Sequence, residues 1–90
     1  MTEAARRLRR RAYADVEHDG DRFVARLPDG PAMRLVGSAG VIWDCFVDGA
    51  TADEVTAEVA GAVGLAPDAI AADVTHFLDD LVRTGLLEVT

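Results

Sequence analysis

The sequence predicts an α+β domain in which a three-stranded antiparallel sheet is followed by three helices. Two observations carry this expectation: tight-turn residues punctuate the first third of the chain, and near Ser38 the apolar period lengthens from two to about 3.6. The length of 90 residues adds a third, since it is enough for one hydrophobic core and not for two.

The elements follow in chain order. Tyr13 to Glu17 alternates polar and apolar, and His18-Asp19-Gly20-Asp21 reads as a turn with Asp-Gly at its centre. Arg22 to Leu27 alternates again, with Phe23, Ala25 and Leu27 on one face and Arg22, Val24 and Arg26 on the other. Pro28-Asp29-Gly30-Pro31 is a second turn, and a third strand runs through Met33 to Val36. Ser38 is positioned to cap a first helix from Ala39 to about Val47, with Ile42, Trp43, Phe46 and Val47 apolar; Asp48-Gly49 stops it. Thr51 and Glu54 have the spacing of a capping box. The second helix that they open has a stripe of Ala52, Val55, Val59, Ala62 and Val63, ended by Gly64. Pro67-Asp68 starts the third helix, which turns Ile70, Val74, Phe77, Leu78 and Leu81 inward and stops at Gly85. Leu86 to Val89 is a short extended tail. Burying one such apolar side chain contributes about 1.5–3 kcal/mol, so these anchors suffice only if sheet and helices share a core. Three strands and then a compact trio of helices are winged-helix-like in content.

Composition bounds the function. Half of the residues are apolar and 28% are charged, as in a globular chain. No apolar run is long enough to span a bilayer, residues 1–11 lack the apolar stretch of a signal peptide, and the single cysteine, Cys45, has no partner for an internal disulfide. The expectation is a cytoplasmic protein with no membrane partner. Residues 1–11 carry five arginines (Arg6, Arg7, Arg9, Arg10, Arg11) against Glu3, whereas residues 12–90 carry four arginines against fifteen acids, for a net charge of −7. The domain division is accordingly an arginine-rich N-terminal arm, 1–11, and a folded unit, 12–90. The arm reads as an interaction arm or, more commonly for such a segment, as a solvated, frayed terminus or first helical turn. The acidic body repels polyanions, so nucleic acid is not an expected partner.

Groups able to do chemistry are few. Cys45 and His76 are a nucleophile and base in principle, but Cys45 stands among Trp43, Phe46 and Val47, the setting of an inert thiol. His18 lies in a turn, and two isolated histidines lack metal-ligand spacing. Asp79 and Asp80 are adjacent on a helix and so point about 100° apart. Gly37-Ser38-Ala39-Gly40 lacks the lysine and the length of a phosphate loop. The reading is of a binding protein with no catalytic residue, metal or cofactor. The third strand has one charge and no internal proline, which is weak protection for a sheet edge. It either accepts an extended peptide or is covered by the N-terminal segment or by a second copy in a homodimer.

From Tyr13 to the end the chain resembles the PqqD-like family, the precursor-recognition elements of pathways making ribosomally synthesised, post-translationally modified peptides (RiPPs). The matching residues are Leu35, Ile42-Trp43, Asp48-Gly49-Ala50-Thr51, Glu54-Val55, and the run from Val74-Thr75-His76-Phe77 through Leu78-Asp79-Asp80-Leu81 to Val82-Arg83-Thr84-Gly85-Leu86-Leu87. Val36 departs from the asparagine often found there in the family, and Ser38 takes over capping. The resemblance implies that a leader peptide docks as an extra strand on Met33, Arg34, Leu35 and Val36, in a groove against the third helix. The implied helix positions are Asp73, Val74, His76, Phe77, Asp80 and Leu81. Helical spacing does not separate core from groove here: Val74, Phe77 and Leu81 are more often plain core, whereas Asp73, His76 and Asp80 are better candidates for exposed specificity contacts, with the acidic pair favouring a leader that carries Lys or Arg. The implied role is a peptide chaperone that tethers the precursor near a radical SAM enzyme, leader peptidase or cyclase. The rival readings are a winged-helix DNA-binding regulator, which the acids of the third helix oppose, and a generic interaction or dimerisation module.

Overall fold

The computed structural model describes residues 6–90, and residues 1–5 of the N-terminal arm lie outside them. In chain order the elements are β1 (Arg7–Arg10), β2 (Tyr13–His18), β3 (Asp21–Arg26), β4 (Ala32–Leu35), α1 (Ala39–Cys45), β5 (Ala50–Thr51), α2 (Ala52–Val63), α3 (Pro67–Arg83) and β6 (Leu87–Val89). The α+β class and the strand-then-helix order are as the sequence predicts. The strands, however, form two antiparallel sheets, ordered β2-β3-β4 and β5-β1-β6.

The β2-β3-β4 sheet is the predicted meander. His18 pairs with Asp21 across a two-residue turn in which Asp19 (φ 52°) and Gly20 (φ 81°) are both left-handed. A tight hairpin needs that geometry, and Asp-Gly adopts it at low cost. Paired residues share a face, so Val24 lies over Met33 and Arg22 over Leu35, with Val24 and Leu35 buried. Arg22 reaches this inner face by forking onto Asp15 of β2 at 2.6 Å and Asp44 of α1 at 2.7 Å. The hydrogen bond from Arg22 is the main reason that the Asp15 carboxyl sits below its usual pKa.

The β5-β1-β6 sheet corrects the sequence reading of the N-terminus. Arg7–Arg10 is neither a solvated end nor a helical turn but the central strand of this sheet, and Leu8, paired with Ala50 and Val89, is fully buried. The arginines are charges that the body itself balances. Arg7 reaches Gly49's carbonyl at 2.7 Å and Glu54 at 3.3 Å. Arg6 meets Asp79 at 3.0 Å, and Arg9 and Arg11 share Glu88. The Arg10 guanidinium lies over the Trp43 ring, 4.4 Å from its centroid, near the rings of Phe46 and Tyr13, and donates to the Trp43 carbonyl. These contacts are long in sequence, so the charge run alone gave no sign of them.

The helices start and stop largely where their punctuation predicts. Thr51 and Glu54 form a complete capping box, and Gly64 closes α2 in the left-handed region. Pro67 opens α3. Ser38 does sit at the start of α1, but its side chain makes no capping hydrogen bond, and α1 ends at Cys45 rather than Val47. The buried face of α2 is Val55, Thr56, Val59 and Ala60, whereas Ala62 and Val63 are exposed. The last turn of α2 therefore runs past the core. Thr56 is accommodated because its hydroxyl donates to the Ala52 carbonyl at 2.8 Å. One core joins the parts: Leu8, Val24, Leu35, Ile42, Trp43 and Phe46 with Val55, Val59, Val74, Leu78, Leu81, Leu86 and Leu87.

If β1 is part of this core, Leu8→Ala lowers unfolding free energy by about 2–5 kcal/mol, measured by urea denaturation; a solvated arm would lose about 0.5 kcal/mol at most. A pH series tests the Arg22 fork. With a folded pKa below its ordinary value of 3.8, Asp15 contributes stability that is complete above that pH and lost as pH falls through the lower folded value. Asp15→Asn should lower stability at neutral pH and flatten this part of the acid limb.

Candidate functional site

Among the described residues, one side of β4 has no strand partner, because β4 pairs only with β3. The described residues of the N-terminal segment do not cover that side, since β1 belongs to the other sheet. Beside β4 runs a groove of about 330 Å³, lined by Met33, Arg34 and Val36 on the strand side, Ser38, Ala39 and Ile42 at the start of α1, and Asp73, Phe77 and Asp80 on α3. The local sequence dictates this shape. Gly37, with φ 57°, turns the chain from β4 into α1. Ala39 and Ile42, one turn apart on α1, then form a small-plus-branched base between strand and α3. The strand wall from Met33 to Val36 and the helix wall from Asp73 to Asp80 are each about 10 Å long, at about 3.3 Å per strand residue and 1.5 Å per helix residue. Three extended peptide residues fit along such a span.

The groove brings together six of the ten sequence-predicted positions: Met33, Arg34, Val36, Asp73, Phe77 and Asp80. Val36 is 60% exposed, unusual for a valine beside a core, and Phe77 is half-buried against the core's margin. Leu35, Val74 and Leu81 are instead buried, so their side chains are core and Leu35 offers the open edge only its backbone. His76 is exposed and borders a neighbouring depression with Ala71, Ala72, Thr75 and Asp79. Sequence reasoning passed over Ser38 and Ala39 and took Ile42 as core alone. Ile42 is both, being almost fully buried while its remaining surface forms the groove base. The usable signal was the small residues Gly37-Ser38-Ala39 between an edge strand and an apolar helix.

Three charged side chains line the groove. Arg34 is held by Asp21 at 3.1 Å. Asp80 is held by Arg83 and, at 3.7 Å, by His76. Asp73 has no hydrogen-bond or ion-pair partner among the described residues. The groove thus combines an open backbone edge, an apolar base and a negative charge, a set suited to holding an extended chain rather than to moving protons.

The family described as Coenzyme PQQ synthesis protein D (PqqD) has a model that matches residues 27–87. The chain belongs to the PqqD family. The match runs from just before β4 to the first residue of β6, so it takes in both walls of the groove, and it leaves β1 to β3 outside. No curated protein and no solved structure matches the chain significantly. Membership implies a non-catalytic accessory role in the biosynthesis of PQQ and related RiPPs. No helix among the described residues is long and apolar enough to cross a membrane.

A second cleft, of about 470 Å³, lies at the end of α1 and is lined by Cys45, Val47, Arg7, Glu54 and Glu58 among others. Its strand, β5, has two residues, too few to pair a peptide in a defined register. Cys45 borders this cleft, whereas His76 lies on α3 with its Nε2 3.7 Å from Asp80. Burial, with Glu58 and Asp44 nearby, pushes the Cys45 thiol above its ordinary pKa. Cys45 is therefore expected to alkylate with iodoacetamide several-fold more slowly than glutathione at pH 7.5, accelerating only in alkali. A fast reaction at neutral pH would reopen the nucleophile reading.

Proposed function

We propose that this PqqD-family domain binds the leader region of a ribosomally made precursor as an added strand on β4, in the groove walled by α3. The bound precursor is then presented to a modifying enzyme or leader peptidase. One observation carries the reading: the unpaired edge of β4 opens onto a groove whose lining holds six of the residues that the family resemblance nominates. Backbone pairing along β4 supplies affinity that any sequence can earn. Selectivity comes from side chains that alternate towards Ile42 and Phe77. Catalytic groups are not needed for this role. Holding the leader raises the effective concentration of the attached core peptide near the partner enzyme, whether a radical SAM enzyme, a peptidase or a cyclase.

The DNA-binding alternative has weaker support. α3 carries Asp68, Asp73, Asp79 and Asp80 against Arg83, where a helix approaching phosphates should be neutral or basic. The basic stretch that favoured DNA is engaged internally, with Arg6, Arg7, Arg9 and Arg11 on acids and Arg10 on aromatic rings. A homodimer formed through the β4 edge is the occupant that competes with a leader.

The test is fluorescence anisotropy with a labelled leader from the precursor peptide encoded beside this protein's gene. Val36→Asp, at an exposed position, should keep the fold and weaken binding about tenfold or more. Val16→Asp, on the opposite edge strand β2, should leave binding unchanged. Equal affinities for both variants would move the site away from β4.

A further inference from the structure

We propose that the groove selects peptides that place Lys or Arg two positions from an apolar anchor, and that Asp73 is the specificity residue that meets the cation. This rests on the docking reading above and adds to it the chemistry of the preferred ligand.

The charges of the groove single out one position. Arg34 is neutralised by Asp21, and Asp80 by Arg83. Asp73 lines the same groove with no partner among the described residues, which leaves the lining with an unbalanced negative charge at that end. The base, in contrast, is apolar, with Ile42 and Phe77 shaped to take one aliphatic or aromatic side chain. Spacing links the two. Asp73 and Phe77 are four residues apart on α3, one above the other and about 6 Å apart along the axis. Same-facing residues of an extended peptide are two positions and about 6.8 Å apart. When one such residue sits on Phe77, the next arrives level with Asp73. Asp80, already paired with Arg83, contributes to this selectivity far less.

The experiment uses the full 90-residue chain and a displayed library of random 12-residue peptides, so that no ligand is assumed. Wild type should enrich peptides with a large apolar residue and Lys or Arg two positions away. Selection on Asp73→Arg should replace that cation by Asp or Glu at the same spacing while keeping the apolar residue, and Asp68→Asn, on the same helix but outside the groove lining, should preserve the wild-type preference. For a synthetic wild-type winner, Asp73→Asn should reduce affinity by about two- to fivefold at low salt, with the difference shrinking as salt rises. Circular dichroism melts confirm that the variants fold, as expected for an exposed position. Peptides that shift β4 amides but show no cation preference, or a preference that survives Asp73→Arg, overturn this proposal alone. If no peptide is enriched, or the winners shift only amides far from β4, the docking reading falls and this proposal falls with it.

Discussion

Insertion of Leu8 between Ala50 and Val89 is the contact on which the rest of the structure depends. A strand that carries three arginines, with Arg6 just before it, is a poor core element by composition. It is held because its one apolar side chain is fully buried and its charges meet acids or rings contributed from α1, α2, α3 and β6. Through Arg10, the same strand reaches Trp43, against which Tyr13 of the first meander strand packs edge-on at 5.0 Å. The meander and the helical half, which share one core, are thereby tied at α1 as well. The groove exists because α1 holds β4 and α3 apart there, with Ile42 filling the base.

This arrangement explains why an open strand edge persists at β4. The described part of the N-terminal segment, from Arg7 to Arg10, is committed to the other sheet by Leu8. The acids that balance its arginines lie on that side as well. Edge strands are commonly blunted by charge or proline; β4 has Arg34 tied down by Asp21 and an exposed Val36, which leaves its backbone accessible. Under the proposed docking of a leader peptide, that accessible edge is what the ligand pairs with.

Much of this was legible in the sequence where the cause is local. Asp19-Gly20 specified the hairpin, Thr51 with Glu54 the start of α2, Gly64 its end and Pro67 the start of α3, because each acts on neighbouring backbone. What escaped was set by distant partners. Arg7–Arg10 read as a charge run, since Glu54, Asp79 and Glu88 are 47 to 79 residues away from the arginines they meet. Ala62 and Val63 continued a helical stripe that the core does not reach. Of the site, the strand positions and Asp73, Phe77 and Asp80 followed from the family resemblance. Helical periodicity alone did not separate Phe77 from Val74 and Leu81, because all three lie on one broad apolar face; only the position of β4 decides which borders a groove. Ser38 and Ala39 were missed because small residues leave no periodic signal.

The central claim, that β4 accepts an extended peptide by backbone pairing, is tested most directly by amide hydrogen exchange across Ala32–Leu35 with and without saturating leader peptide. The account predicts new protection at the β4 amides that point away from β3, with little change in β2. Protection confined to β2 or to α2, or a bound peptide that leaves every β4 amide exchanging as before, would contradict it.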